Sequence, residues 1–201
     1  MIFKLIKISI GNLIKLIWLG KVRGLENIPK KGGCIICANH SSYFDFLMLG
    51  AICPRRIYFL AGEVFFKKWQ WRWLVKLTRQ IRVDRNNKDK SESVKEVVKF
   101  LEEGKVVGIF PEGTRSVDGE IHNFYNGAVR IALKTRFPII PVGIKGTYKI
   151  MSRFDKFPKF DRKCDIEFGE LINYDVKKDV GNVNIDELTS KLRERIIILY
   201  K

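Results

Sequence analysis

The sequence predicts an α/β domain, a mixed and mostly buried sheet flanked by helices, with an amphipathic helix at its N-terminal end. Three observations carry this prediction. Short apolar or β-branched runs alternate with longer stretches of helical periodicity. Of 201 residues, 46% are hydrophobic, enough for one domain with a real core. Residues 1–19 stand apart as an apolar segment carrying a lysine stripe. The sequence holds no internal repeat, low-complexity run or linker. It therefore divides into a helix over residues 1–20 and one domain over residues 21–201.

The first segment reads MIFKLIKISIGNLIKLIWL. Its longest stretch without an ionisable side chain runs only from Ile8 to Ile14. A spanning helix needs roughly 20 mostly apolar residues, so a transmembrane span fits badly. Lys4, Lys7, Gly11 and Lys15 fall at helical spacings of three and four, with Trp18 near one end. A helix of this kind lies in a membrane interface, lysines toward headgroups and apolar side chains toward acyl chains. Packing on the domain as an ordinary amphipathic helix is the competing reading. A signal peptide is disfavoured, because no small-residue cleavage site follows.

Five strands are expected at Cys34–Ala38, Ile57–Ala61, Val106–Phe110, Ile139–Ile144 and Cys164–Phe168. One helix is expected from about Ser91 to Glu103, with Val94, Val97, Val98 and Leu101 on one face and Gly104 as its stop. Another runs from Ile185 to Tyr200, with Asn184 and Glu187 as a capping pair. Cys34 and Cys37 form a C-x-x-C, but within a strand they point to opposite faces. All four cysteines thus read as free thiols in a reducing compartment.

The formal net charge is +16, which calls for an anionic partner, nucleic acid or anionic lipid, unless it is only a solvated basic surface. No helix-turn-helix, zinc-finger, RRM or KH signature accompanies the charge, so nucleic acid is not expected.

Chemistry-bearing residues gather where strands end, the usual ligand-binding edge of an open α/β sheet. Asn39-His40-Ser41-Ser42-Tyr43-Phe44-Asp45 follows the first predicted strand. His40 suits proton transfer near neutral pH, and Asp45 suits holding its imidazole. On a straight helix a spacing of five leaves two side chains about 140° apart. The pair meets only if the chain turns into a helix between them, and Ser41 and Ser42 are suitable N-caps. Taken alone, a histidine near an aspartate is more often incidental.

Phe110-Pro111-Glu112-Gly113-Thr114-Arg115-Ser116 follows a second strand. Gly113 permits a tight turn, Arg115 offers a planar fork for phosphate, and Thr114 and Ser116 add hydroxyls. Glu112 is unusual at an anion site; it orients Arg115 or holds a substrate hydroxyl. A structural turn with an exposed ion pair is the alternative. In Ile81-Arg82-Val83-Asp84-Arg85, alternation puts Arg85 on the face of Ile81 and Val83, as a second phosphate ligand or part of a solvated edge strand. His122 lies in a polar loop and reads as surface.

Together these segments resemble the 1-acyl-glycerol-3-phosphate acyltransferases of the PlsC type. The family's His-x4-Asp motif is matched by His40 and Asp45, with Asn39 before them. Its Val-Asp-Arg is matched by Val83-Asp84-Arg85, its Phe-Pro-Glu-Gly-Thr-Arg-Ser by Phe110 through Ser116, and its Pro-containing strand by Ile139-Ile140-Pro141-Val142. The resemblance covers roughly residues 22–170. Two positions depart from it. Arg79 stands where the second motif usually opens with Gly, and Tyr125 replaces a frequent Lys.

The resemblance implies acyl transfer from acyl-ACP or acyl-CoA to the free sn-2 hydroxyl of 1-acyl-glycerol 3-phosphate, giving phosphatidic acid. It implies His40 and Asp45 as catalytic residues, and Arg85, Glu112, Gly113, Thr114 and Arg115 as substrate-binding residues. No metal or bound cofactor is expected; acyl carrier protein or coenzyme A thioester is a co-substrate. The partners expected are lysophosphatidic acid and an anionic membrane surface, at the cytoplasmic face and in a peripheral or monotopic manner. Backbone N–H groups near a helix start are candidate oxyanion donors. Other readings are the same transfer to another acceptor (glycerol 3-phosphate, another lysophospholipid or a lyso-amino-acid lipid) and a basic lipid- or nucleic-acid-binding protein without catalysis.

Overall fold

The computed structural model describes residues 11–67, 69, 75, 77–83, 91–174 and 184–201. A helix described over residues 11–18 (α1) leads into β1 (Leu19–Arg23) and a 3-10 turn (Leu25–Asn27). Then follow β2 (Cys34–Ala38), α2 (Phe44–Ile52), β3 (Ile57–Gly62), α3 (Val64–Lys67), β4 (Ile81–Val83) and α4 (Ser91–Glu102). The chain continues through β5 (Val106–Ile109), α5 (Gly127–Thr135), β6 (Ile139–Lys145), α6 (Thr147–Ile150), β7 (Cys164–Phe168) and α7 (Ile185–Tyr200).

The strands form one seven-stranded sheet in the order β1-β7-β6-β2-β5-β3-β4. Every neighbouring pair is parallel except β6 and β7, which run antiparallel. The sheet is thus mixed, as expected. Strand β2 lies at its centre with all five residues buried. The alternation along β2 builds both cores: Cys34, Ile36 and Ala38 enter one apolar cluster, Ile35 and Cys37 the other. The first cluster is covered by Trp18 and by Phe44, Met48 and Leu49 of α2. The second is covered by Val97 and Leu101 of α4, Val129 and Ala132 of α5, and Leu192 and Ile196 of α7. Each fully buried Leu or Ile contributes about 1.5–3 kcal/mol relative to exposure. The four cysteines are free and buried, with Cys34 and Cys37 on opposite faces.

The five expected strands are present, and α7 has the expected bounds. Asn184 caps α7, its side chain accepting from the N–H groups of Asp186 and Glu187. Gly104 ends α4 in the left-handed conformation at φ 72°. The first boundary differs from expectation, because residues 19 and 20 belong to strand β1 and not to the helix. The strand forms because β7 offers it an edge, not because its own pattern alternates cleanly. The Lys21 N–H donates to Asp165 Oδ1 at 2.6 Å, and a Cβ on Gly20 would lie 2.2 Å from that same oxygen. Only glycine admits this approach without a shift.

Helix α1 packs on the domain along one side only. Ile14, Ile17 and Trp18 pack on the domain, whereas Leu13 and Leu16 are 56% and 77% exposed. Residues 1–10, with Lys4 and Lys7, lie outside the described residues. Among the described residues no helix is long and apolar enough to cross a membrane.

Candidate functional site

The C-terminal ends of β2 and β5 are neighbours in the parallel part of the sheet, and the two principal motifs leave the sheet there. Asn39 fixes the exit of β2. Its Nδ2 donates to the Ile144 carbonyl at 2.9 Å, and its Oδ1 accepts from the Ile144 N–H at 2.8 Å. One amide side chain thus continues the ladder between β2 and β6 after the β2 backbone has turned away.

His40 and Asp45 meet as the resemblance implies. His40 Nδ1 lies 2.8 Å from Asp45 Oδ2, and the two side chains are 16% and 0% exposed. The same oxygen accepts the N–H groups of Ser41 at 2.7 Å and Ser42 at 2.8 Å. An oxygen taking two backbone donors carries no proton, so the His40 ring donates from Nδ1. That leaves Nε2 with its lone pair, and Nε2 takes no hydrogen bond among the described residues. Asp45 Oδ1 is buried without a hydrogen-bond partner among the described residues.

The capping differs from expectation. Tyr43 occupies the N-cap position of α2, and no side chain caps there. The Ser42 hydroxyl accepts from the Phe44 N–H at 3.1 Å and donates to the Met151 carbonyl at 2.6 Å. The Ser41 hydroxyl sits 3.0 Å from Thr147 Oγ1. Asp45 itself therefore gathers the loop, binding the N–H groups three and four residues before it. Those two amides are consequently spent on Asp45 and are not free to act as oxyanion donors.

A stack of rings orients the imidazole from the side. Phe110 lies 4.1 Å from His40 at 15°, and Phe59 lies 5.5 Å from Phe110 at 4°. Gly108 makes room for the stack, since a Cβ there would lie 2.4 Å from the Phe59 ring. Neither the phenylalanines nor Gly108 carried a signal of this role beyond motif membership of Phe110.

Glu112 is buried, and its carboxylate binds backbone. Oε1 accepts from the His40 N–H at 2.7 Å, Oε2 from the His122 N–H at 3.3 Å. Burial pushes its pKa up to about 7, against the two N–H groups that favour the charged form. Among the described residues it forms no ion pair with Arg115, so the geometry gives it a positioning task on His40. In return the His40 carbonyl accepts from the Ser116 N–H at 2.8 Å, locking the two motifs together. Gly113 adopts φ 69°, and a Cβ there would meet the Tyr125 ring at 3.0 Å. Thr114 is exposed. The Arg115 guanidinium stacks on Tyr43, 3.6 Å from the ring centroid, leaving its planar fork presented beside the His40 loop.

Arg85 lies outside the described residues. The strand before it, β4, ends at Val83 on the same sheet edge as β2 and β5. His122 has an exposed side chain, as expected, paired with Asp118 at 2.9 Å, but its backbone N–H serves Glu112. Three hydrogen bonds, the Ser116 hydroxyl and the Glu120 N–H foremost and His122 Nε2 after them, hold Asp118 down at a pKa of about 2. A cavity of about 390 Å³ opens beside Glu112, lined by Ile121, His122, Phe124, Tyr125 and Arg193. Arg79, at the position where the resemblance expects Gly, has φ 51°. That is a left-handed backbone position, which glycine adopts freely and arginine only at a cost.

The chain matches the family model described as Acyltransferase over residues 20–145. It belongs to this acyltransferase family. It is 39% identical over 128 residues to the 1-acyl-sn-glycerol-3-phosphate acyltransferase of Bacillus subtilis, covering 63% of this chain and 62% of that protein. It is 29% identical over 189 residues to the Borreliella burgdorferi protein of the same name, covering 90% and 73%. The chain thus spans under two thirds of the Bacillus protein, and 38% of a chloroplast relative from Brassica napus. The crystal structure of the 1-acyl-sn-glycerophosphate (LPA) acyltransferase from Thermotoga maritima superposes with a TM-score of 0.78 at 26% identity. That match covers 96% of this chain and 76% of the other.

Proposed function

We propose that the protein transfers a fatty acyl group from a thioester, acyl-ACP or acyl-CoA, to the free sn-2 hydroxyl of 1-acyl-glycerol 3-phosphate. The observation that carries this reading is the His40–Asp45 pair, with Nδ1 held and Nε2 left for a substrate. Relatives named for the same reaction support it.

In the proposed reaction the acceptor hydroxyl approaches His40 Nε2, which takes its proton as the oxygen attacks the thioester carbonyl carbon. Asp45 stabilises the imidazolium, and its two serine N–H bonds keep it from following the ring. The tetrahedral intermediate then expels the thiolate. The C–S bond breaks, and His40 returns the proton to sulfur. The products are an ester and a free thiol, and no acyl-enzyme forms. Arg115 holds the acceptor phosphate, with Arg85 as the second cation and Gly113 and Thr114 shaping the turn beneath. Glu112 holds the His40 backbone. The reaction needs no bound cofactor. The acceptor lies in a bilayer at the cytoplasmic face, and α1 and the net charge of +16 bring the protein to that anionic surface.

The test supplies acyl-ACP and acyl-CoA in turn with 1-acyl-glycerol 3-phosphate in mild detergent, and follows phosphatidic acid by mass spectrometry. Product from the unaltered protein and none from His40→Ala supports both the reaction and the base. Product from both removes His40 as the base. No product from the folded, unaltered protein with either donor rejects this acceptor.

A further inference from the structure

The segment from Ser152 to Lys163 connects α6 to β7 and carries Phe154, Phe157 and Phe160, which are 71%, 80% and 66% exposed. Rings left in water are costly unless a partner covers them. The segment is not loose. The Ser152 N–H donates to Asp155 Oδ2 at 2.7 Å, the Lys159 N–H to the Ile150 carbonyl at 2.8 Å, and Trp18 Nε1 to the Lys159 carbonyl at 2.9 Å. These bonds hold the backbone while the rings point outward.

Between the rings stand cations. Residues 152–163 contain five basic side chains (Arg153, Lys156, Lys159, Arg162 and Lys163) against two acidic ones, Asp155 and Asp161. The segment is continuous with α1. The Phe160 ring lies 5.2 Å from Trp18, and Lys163 Nζ donates to the Leu16 and Ile17 carbonyls at 2.9 and 2.6 Å. It also abuts the candidate site. Met151, just before it, accepts from the Ser42 hydroxyl, and Arg153 Nη1 donates to the Arg115 carbonyl at 3.3 Å.

We propose that residues 152–163 form a second bilayer-contact element, with Phe154 and Phe157 entering the acyl boundary of an anionic leaflet and the neighbouring cations meeting lipid phosphates. The proposal rests on the reading that the acceptor lies in a membrane. Alternating rings and cations match the layering of an interface, apolar below and anionic above. A folded protein partner is better met by one contiguous apolar patch. Leu13 and Leu16 of α1, the element to which the segment is bonded, are exposed as well. The protein then touches the bilayer on two elements flanking the His40 loop, and the site faces the leaflet by construction.

The experiment uses the full chain and sedimentation with vesicles of phosphatidylcholine and phosphatidylglycerol. The double variant Phe154→Ser, Phe157→Ser is expected to lose about tenfold or more in partition while retaining its rate on a detergent-dispersed acceptor. In parallel, Phe157→Cys carries an environment-sensitive fluorophore, feasible because the native thiols are buried. Its emission is expected to shift to the blue on vesicle binding, whatever the double variant does to folding. Unchanged partition together with an unshifted label overturns the proposal and leaves the proposed reaction standing. No vesicle binding by the unaltered protein overturns the membrane reading and this proposal together. Weaker binding of an acyl carrier protein with unchanged vesicle partition assigns the segment to a protein partner and likewise overturns it.

Discussion

Replacing Asp45 by asparagine removes a charge from the centre of the site and almost nothing else. Asp45 Oδ2 accepts three donors, His40 Nδ1 and the N–H groups of Ser41 and Ser42, whereas Oδ1 accepts none among the described residues. An asparagine has one orientation that respects this. Its oxygen must take the Oδ2 place, because an NH2 there would face two backbone donors. The imidazole therefore keeps its tautomer in the variant. What is lost is the charge opposite the imidazolium that forms during attack. Charge centres about 4 Å apart at an effective dielectric constant near 20 interact by about 4 kcal/mol. A loss of that size slows acyl transfer by about a thousandfold. The amide NH2 then sits in the buried Oδ1 place, which costs about 1–3 kcal/mol of stability. The assay pairs the single-turnover rate at saturating thioester with a thermal melt. A folded variant within about tenfold of the unaltered rate would refute the assignment of Asp45 as the partner of a charged His40.

Glu112→Gln is expected to change how stability depends on pH. The folded-state pKa of Glu112, about 7, lies above the ordinary 4.5, so the unfolded chain releases its proton first. Stability of the unaltered protein thus falls as pH rises through that window, by an order of a few kcal/mol, and the slope is absent from the variant; parallel unfolding curves for the two proteins contradict this. Asn39→Ala leaves the Ile144 N–H and carbonyl unpaired in the core, at about 2–4 kcal/mol, read from denaturant midpoints. Arg79→Gly relieves the positive φ and is expected to stabilise by up to about 1 kcal/mol, seen as a higher Tm with activity unchanged. Arg115→Lys keeps the charge but loses the stack on Tyr43 and the planar fork, so KM for the acceptor should rise about tenfold with kcat little changed.

The strands of the parallel core were legible because each is a short apolar run with both faces buried. The meeting of His40 and Asp45 was legible from the motif, but its geometry was not. A spacing of five looks unfavourable until Asp45 binds the two amides ahead of it and bends the loop. Glu112 misled for a related reason. A carboxylate near Arg115 suggests an ion pair, yet its partners are backbone N–H groups, and backbone donors leave no mark in a sequence. Strand β1 was missed because its existence depends on β7, far away in the chain. Nothing in the residue type separates the phenylalanines of residues 152–163 from those of the core; only burial does, Phe168 at 1% and Phe157 at 80%.

That dependence of β1 on β7 bears on how the polypeptide is made. Lys21 and Asp165, which bond across the two strands, lie 144 residues apart. During synthesis α1 and β1 leave the ribosome long before the strand that receives them. For that interval the apolar side chains of the helix, including Trp18 and Ile14, have no protein surface to cover them. A nearby bilayer is then the first solvent that suits them, so membrane association can precede closure of the sheet. Refolding of the released chain in water, without lipid, should consequently suffer more aggregation than the parallel core alone would provoke.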